Sequence, residues 1–484
     1  MEPNPPTAPV RLQRALGLMM ATAIIVGNVI GSGVFVKPRA VAQNVPDFTF
    51  AALVWILGGG LALLGSLSLS EVSVLFPKSG GNYVFLREAL GRMFGFLWGW
   101  VEFWIIRTAS IAALATVVTT ELHNVLRAIL DLPPSSGVMS FWEERFLTVA
   151  IILVLGAVNV RGVRWGGWLQ LGITTIKVGT LLTIILLPFV LRGPIEPSGT
   201  APQPGNPTLF TWAGLGAAML AVQWAYHGWM NVTTVAEEVA RPERNIPLAT
   251  IGGVGLVILL YLGANIAYYQ VIPHDEMKNY ASVATEFCRR LLGAVGGGFA
   301  AAAVMCSAFG ALNGNILVGP RLLYAMGQDN LAPKSLSAVH PRYLTPALAI
   351  MVEAVWSALL VLGVAALTQI HLPVWDLSEH REINLNLPPG KATFDVLTDF
   401  AMFGAVIFET LAVGTIFVFR VRLPNAERPY RCWGYPVVPA VYVAGLTAVA
   451  VGTVLTQWTE AAVGLGFIAL GAAVYGLIYR FAKR

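Results

Sequence analysis

The chain has 484 residues, of which 56% are hydrophobic and only 12% are charged, and its formal net charge is +5. A soluble domain carries about 25% charged residues, so this composition excludes an ordinary soluble protein. Apolar stretches of about 20 residues recur along the chain, which predicts an all-α polytopic membrane protein. The modest positive charge indicates basic loops rather than a nucleic-acid-binding surface.

The predicted spans follow one another along the whole chain with short polar connections. We predict about twelve membrane helices. They lie near residues 15–42, 48–75, 94–120, 146–160, 167–191, 211–239, 249–272, 297–326, 346–368, 396–420, 436–457 and 461–480. The predicted external loops are 121–145, 192–210, 273–296 and 369–395.

The first span is interrupted in its middle. Gly31-Ser32-Gly33 lies within an otherwise apolar stretch, and this sequence favours an unwound helix. Backbone groups without partners in hydrocarbon cost about 2–7 kcal/mol each, so such a break is tolerated only where it lines a cavity. The sequence therefore predicts a ligand site at this break.

Two further spans contain ionisable residues at depth. In the third, Glu102 and Arg107 are five residues apart, a spacing that an α-helix does not place on one face, so we expect each to pair with another helix. In the fifth, Lys177 lies far from the nearest charged residues, Arg164 and Arg192. A lysine at the centre of a membrane costs about 2.5–3.5 kcal/mol and therefore needs a compensating environment.

The sixth span contains a second interruption. Its segment from Ala221 to Asn231 has His227 and Gly228 at mid-depth. The sixth span follows the first by five spans, and an odd offset reverses the orientation of the second break. This arrangement is typical of an inverted five-plus-five repeat with a central site.

The repeat pattern predicts how the chain is organised. We predict a single transmembrane domain over residues 1–484. Within it, 15–245 holds the first repeat and the start of the second, 211–420 holds the second repeat, and 436–480 holds two additional helices.

Basic residues predict the orientation in the membrane. Most of the 31 Lys and Arg residues fall in predicted loops on the side of the N-terminus, which places both termini in the cytoplasm. No short apolar segment with a small-residue cleavage site precedes the first span, so no removable signal peptide is expected. The three scattered cysteines predict neither a disulfide framework nor a metal site.

Several segments resemble one transporter family. The first break reads VGNVIGSGVFVKP and resembles the first helix of the amino acid–polyamine–organocation superfamily, most closely its L-type amino acid transporter branch. The resemblance is also carried by FPKSGGNYVFL at 76–86, AYHGWMNVTTVAEEVARPERNIP at 225–247, NIAYYQVI at 265–272, SAFGALNGNILVGPRLLYAMGQDNLAP at 307–333 and RPYRCWGYPVVP at 428–439. It implies the LeuT-type fold and amino acid transport by alternating access.

The resemblance also implies a substrate site. In the family the glycine-rich break binds the substrate α-carboxylate, a role that falls here on Gly31, Ser32 and Gly33. Backbone N–H groups at the start of a half-helix suit an anion.

The substrate ammonium group would bind carbonyl groups freed by unwinding. The resemblance places these at Val29 or Ile30 and at Trp224 and His227. An aromatic at the position of Trp224 closes over bound substrate in the family, and Gly228 completes the second break.

The family carries a lysine at the position of Lys177, where sodium-coupled members of the fold bind an ion. The resemblance implies that its ammonium group replaces that ion and bridges the first break to the eighth span near Ser307. Sodium-independent transport is therefore expected.

Three departures from the family pattern leave alternatives open. His227 stands where L-type relatives commonly have Gly, Ala or Asp, which leaves the substrate side chain open. Asn28 occurs at the matching position of the arginine–agmatine antiporter branch, so a cationic amino acid or polyamine antiporter remains an alternative. Residues 121–145 contain no cysteine, so the disulfide-linked heavy chain of animal relatives is not expected.

The combined prediction is a sodium-independent secondary amino acid transporter of the bacterial inner membrane, working by exchange or proton coupling. A non-transporting amino acid sensor is the alternative from another class. No catalytic motif such as His-Glu-x-x-His is present in the sequence, so we predict neither an enzyme nor a cofactor.

Overall fold

The computed structural model describes residues 14–130, 132, 137–191, 210–369, 375–378, 381–383, 393–456 and 458–482. These residues are almost entirely helical. In chain order the α-helices are α1 Leu18–Val29, α2 Gly33–Asn44, α3 Phe48–Leu75, α4 Asn82–Leu90, α5 Arg92–Val101, α6 Thr108–Ile129, α7 Phe141–Val160, α8 Val163–Val190, α9 Trp212–Tyr226, α10 Asn231–Thr234, α11 Pro242–Val271, α12 His274–Met277, α13 Val283–Val318, α14 Pro320–Gln328, α15 Ala347–Leu367, α16 Thr393–Arg422, α17 Val437–Thr456 and α18 Trp458–Ala482.

Shorter elements connect or interrupt these helices. A π-helical turn, Glu102–Arg107, joins α5 to α6, and 3-10 turns occur at Ala236–Glu238 and Lys334–Ser337. The antiparallel strands β1 Trp375–Ser378 and β2 Arg381–Ile383 form a hairpin within the predicted loop 369–395. Apart from these two short strands the described chain is helical, so the predicted all-α fold class is confirmed.

Ten helical segments of the described chain are long and apolar enough to cross a membrane. The other two predicted spans are helical but fall short of that criterion. α7 begins with a charged first turn, and α9 has only 15 residues because it ends at the second break. Helices therefore occupy all twelve predicted positions, and the chain is a polytopic membrane protein.

Two segments predicted as external loops are partly helical. α6 continues to Ile129, into 121–145. α12 and the start of α13 occupy much of 273–296, where the Ser282 hydroxyl accepts from Thr285 N and caps α13. Gly293, with φ 68°, then bends α13 before its apolar part begins.

Both predicted breaks are present. Between α1 and α2, residues 30–32 belong to neither helix, and the backbone of Ile30 departs from helical geometry (φ −73°, ψ 80°). Between α9 and α10, His227 is extended and Gly228 has φ 100°, a conformation that favours glycine.

Packing brings the two breaks together inside the bundle. α1 packs against α8, α11 and α13, and α2 packs against α9. A Cβ atom on Gly33 would lie 2.5 Å from Ala225 Cα. The backbones of the two broken helices thus approach closely at the same depth.

Candidate functional site

The start of α2 presents unpaired polar groups to the interior. Its N-cap residue, Ser32, makes no side-chain cap hydrogen bond, and the first N–H groups of a helix have no intrahelical partner. The Ser32 hydroxyl is buried without a hydrogen-bond partner among the described residues, and so are both side-chain polar atoms of Asn28. Buried groups of this kind are normally satisfied, so their convergence indicates a ligand site.

A narrow cavity lies at these groups. It has a volume of about 20 Å³, which is room for about one water molecule. The cavity is lined by residues of both breaks and of α6 and α13: Asn28, Val29, Gly31, Ser32, Gly33, Ser110, Leu114, Trp224, His227, Gly228, Asn231 and Asn315. The broken helices are therefore closed around the site in this conformation.

Lys177 lies against the unwound segment. Its Nζ donates to Gly27 O at 2.7 Å and to Ile30 O at 2.8 Å. A Cβ atom on Gly310 would come within 2.7 Å of Lys177 Cε, so this glycine of α13 provides the space for the lysine. The ammonium group thus satisfies carbonyls that unwinding leaves without helical partners.

Ser307 of α13 contacts the same segment from the other side. Its hydroxyl lies 3.0 Å from Gly31 O and 3.2 Å from Ile30 O. Lys177 and Ser307 therefore connect α8, the first break and α13, which are the three elements that the sequence analysis related to each other.

Tyr261 of α11 is a further site residue that the sequence analysis did not single out. Its hydroxyl lies 2.7 Å from Val29 O and 3.1 Å from Ala225 O, and so links the two broken helices. The sequence feature that could have indicated Tyr261 is its position inside an apolar span, because a buried Tyr hydroxyl usually has a hydrogen-bond partner.

Both carbonyls considered for the substrate ammonium lie near protein donors in this conformation. Ile30 O lies within hydrogen-bond distance of Lys177 and of Ser307. Val29 O accepts from Gly31 N at 2.8 Å and from the Tyr261 hydroxyl at 2.7 Å. The contacts therefore do not favour one carbonyl over the other.

The second break supplies the opposite wall. Trp224, in the last turn of α9, is buried, and its ring is stacked with the His227 ring at 6.5 Å between centroids. A Cβ atom on Gly228 would lie 3.4 Å from Asn28 Cβ, so the two breaks approach each other here.

The two predicted glycines of the first break differ. A Cβ atom on Gly31 would make ordinary contacts, with its nearest neighbours 3.5 Å away. A Cβ atom on Gly33 would overlap the backbone of Ala225. Gly33 is therefore required for helix packing as well as lying at the cavity.

Glu102 and Arg107 were expected to pair with other helices, and this expectation is wrong for their salt bridge. They form a salt bridge with each other, and Arg107 Nε donates to Glu102 Oε1 at 2.9 Å. The intervening π-helical turn brings residues five apart into register. Arg107 also donates to Asn315 at 2.6 Å and to Asn231 at 3.0 Å, both of which line the cavity.

Comparison with known proteins places these features in context. The family model described as amino acid permease matches residues 16–477. The chain is 29% identical over 483 residues to the serine/threonine exchanger SteT of Bacillus subtilis (strain 168), covering 98% of each protein. It is 30% identical to the human large neutral amino acids transporter small subunit 2, covering 97% of this chain and 81% of that protein. It is 29% identical to the human cystine/glutamate transporter, covering 87% of this chain and 77% of that protein.

Proposed function

Because this chain belongs to the amino acid permease family and is an amino acid transporter rather than an enzyme, we propose that it moves amino acids by alternating access without sodium. The observation that carries this proposal is the first break. It combines an uncapped helix start, a buried unpaired Ser32 hydroxyl and a cavity closed by the second break.

The start of α2 is the proposed site for the substrate carboxylate. The N–H groups of Ser32 and Gly33, and the Ser32 hydroxyl, are donors near the positive end of a half-helix dipole. Gly31 leaves the backbone accessible because it has no side chain. The carbonyl of Val29 or of Ile30, on the other side of the break, is the proposed acceptor for the substrate ammonium group.

Trp224 is the proposed gate. Its indole lines the cavity opposite the carboxylate site, and the cavity is too small for an amino acid. Substrate entry therefore requires movement of the broken helices, and an indole at this position would exclude water once they close again.

Lys177 is the proposed substitute for a bound cation. Its two hydrogen bonds hold the carbonyls of the unwound segment, which a sodium ion would otherwise coordinate. The Lys177 Nζ donor is covalently attached and therefore always present, so the first break needs no sodium to keep its shape. This supports sodium-independent transport.

Exchange of one amino acid for another is the proposed mode. The support is the name of the Bacillus subtilis relative, a serine/threonine exchanger aligned over 98% of both chains.

We further propose a location in the bacterial inner membrane with both termini in the cytoplasm. No disulfide-linked heavy chain is proposed, since residues 121–145 contain no cysteine.

Counterflow in proteoliposomes tests this function. Vesicles loaded with one unlabelled amino acid at a time are diluted into a trace of the labelled amino acid in sodium-free buffer, and polyamines are tested in parallel. We expect accumulation with a subset of amino acids and no increase on adding sodium. Binding without accumulation would identify a sensor, and accumulation driven by polyamines alone would identify the antiporter alternative.

A further inference from the structure

A buried histidine–carboxylate pair joins the second break to α16. His227 Nδ1 lies 3.0 Å from Glu409 Oε1, and the two side chains are 12% and 4% exposed. The two atoms are nevertheless not aligned for a hydrogen bond, and neither has another partner among the described residues. The close approach therefore joins two titratable groups without fixing the position of a proton between them.

Burial restricts the charge states of this pair. An ionised carboxylate in apolar surroundings needs a cation or a proton. Phe408, next to Glu409 in α16, packs against Trp98 with 5.9 Å between ring centroids. Glu409 is therefore either protonated or paired with an imidazolium, and in both cases the pair holds one exchangeable proton.

Most titratable groups on the elements that pack against α16 have hydrogen-bond or ion-pair partners of their own. α16 packs against α3, α4, the π-helical turn, α6, α9, α17 and α18. The titratable side chains that the structure describes on these elements are, in chain order, Glu71, Tyr83, Arg87, Glu88, Glu102, Arg107, Glu121, His123, Arg127, Tyr226, Tyr442 and Tyr475.

The carboxylates among them have basic or amide partners. Glu71 bonds to Arg420 and Arg428, and Glu121 accepts from Asn124. Glu102 is paired with Arg107, as described above. Tyr442 of α17 differs, because its hydroxyl is buried without a partner in the described chain.

The pair adjoins the proposed substrate site. His227 lines the cavity at the first break and also a second cavity bounded by Glu102, Arg107 and Asn231. Its backbone belongs to the break between α9 and α10, whereas Glu409 belongs to α16. Any movement of the broken helix relative to α16 changes the distance between His227 and Glu409.

That dependence links proton binding to conformation. When the two side chains separate, a proton on one of them can no longer be shared with the other, so the free energy of holding that proton differs between the two conformations. By thermodynamic reciprocity, a proton on the pair favours the conformation with the higher proton affinity. Substrate and proton thus act on the same helix movement.

We propose that His227 and Glu409 form a proton-binding site, and that one proton bound there accompanies the amino acid through the transport cycle. The proton comes from water on one side of the membrane and is released to water on the other, which leaves the pair ready for the next cycle. This inference rests on the proposed transport function, and it allows a proton gradient to drive net uptake in addition to exchange.

Proton movement in proteoliposomes tests the inference. The vesicles contain the pH indicator pyranine and no amino acid, and the external probe is the amino acid with the strongest counterflow. We expect wild-type protein to acidify the lumen when this amino acid is added at an acidic external pH. In Glu409→Gln the ratio of protons to amino acid transported should fall at least tenfold.

Glu121→Gln is the matched control, because it removes another buried carboxylate of a membrane helix that does not contact His227. Its proton-to-substrate ratio should equal that of the wild type.

Wild-type counterflow without any proton movement would overturn this inference and leave the transport function intact. Absence of wild-type counterflow would contradict the transport function itself. An unchanged proton ratio in Glu409→Gln would overturn the role of this pair, and Glu409→Asp should restore part of the proton movement.

Discussion

Gly31 and Gly33 bound the same break but differ in the space around them. Gly31→Ala should fold normally, because the added Cβ would meet neighbours only at 3.5 Å. Gly31→Val should fold and weaken substrate binding at least tenfold, because its branched side chain would hinder approach to the backbone donors. Losing one hydrogen bond to a charged group costs about 1.5–3 kcal/mol, and about 1.4 kcal/mol is tenfold in affinity.

Isothermal titration of purified protein with the transported amino acid measures this effect, and Gly33→Val is the contrasting variant. It should lose thermal stability, because its side chain would overlap Ala225. Wild-type affinity in a folded Gly31→Val protein would remove the carboxylate site from this break.

Lys177 gives a second prediction at the residue scale. Lys177→Ala leaves the carbonyls of Gly27 and Ile30 without their ammonium donor. Each lost partner costs about 1–3 kcal/mol, so the melting temperature should fall and counterflow should be lost or become sided. Thr183→Ala is the control on the same helix, since Thr183 is exposed and bonds only within α8. Wild-type counterflow, sidedness and pH dependence in Lys177→Ala would contradict the proposed role.

The π-helical turn is the element that the sequence did not reveal. At α-helical spacing Glu102 and Arg107 do not lie on the same face. The π-helical turn, in which hydrogen bonds join residues five apart, brings them together. No composition signal marks such a turn, because its stability comes from tertiary partners, here Asn231 and Asn315. The two helix breaks were predictable, in contrast, since Gly-Ser-Gly and His-Gly in apolar spans carry a local signal.

Removing one member of this buried pair should be costly. Arg107→Met should lower the unfolding free energy by about 3–5 kcal/mol, because Glu102 is left buried without its partner. The double variant Glu102→Gln, Arg107→Met should lose less than the single variant, since it leaves no unpaired charge. Thermal unfolding in detergent measures both, and a double variant less stable than Arg107→Met would contradict the pairing.

The end of α9 gives a second prediction for a structural element. Trp224→Ala should reduce the transport rate more than it reduces equilibrium binding, because closing the cavity is a conformational step. Trp212→Ala, at the exposed start of the same helix, should leave both unchanged. Equal losses of binding and rate in Trp224→Ala would place the indole in substrate binding rather than in gating.

At the scale of the whole molecule, hydropathy predicted the position of each membrane helix in the described chain. Apolar length predicted the spans. The charged first turn of α7 and the break that ends α9 explain why these two helices do not meet the criterion for a membrane span. The contacts between distant segments were not predictable from one sequence. His227 and Glu409 are 182 residues apart in number but adjacent in space, and nothing local to either residue indicates the other.

The central claim is that the start of α2 binds the α-carboxylate of an amino acid. The most direct measurement is equilibrium binding, to purified wild-type protein in sodium-free buffer, of the transported amino acid, its carboxamide and its decarboxylated amine. We expect the carboxamide and the amine to bind at least tenfold more weakly than the amino acid, because each lacks the anion that the N–H groups of Ser32 and Gly33 would bind. Equal affinities for all three compounds would contradict the claim.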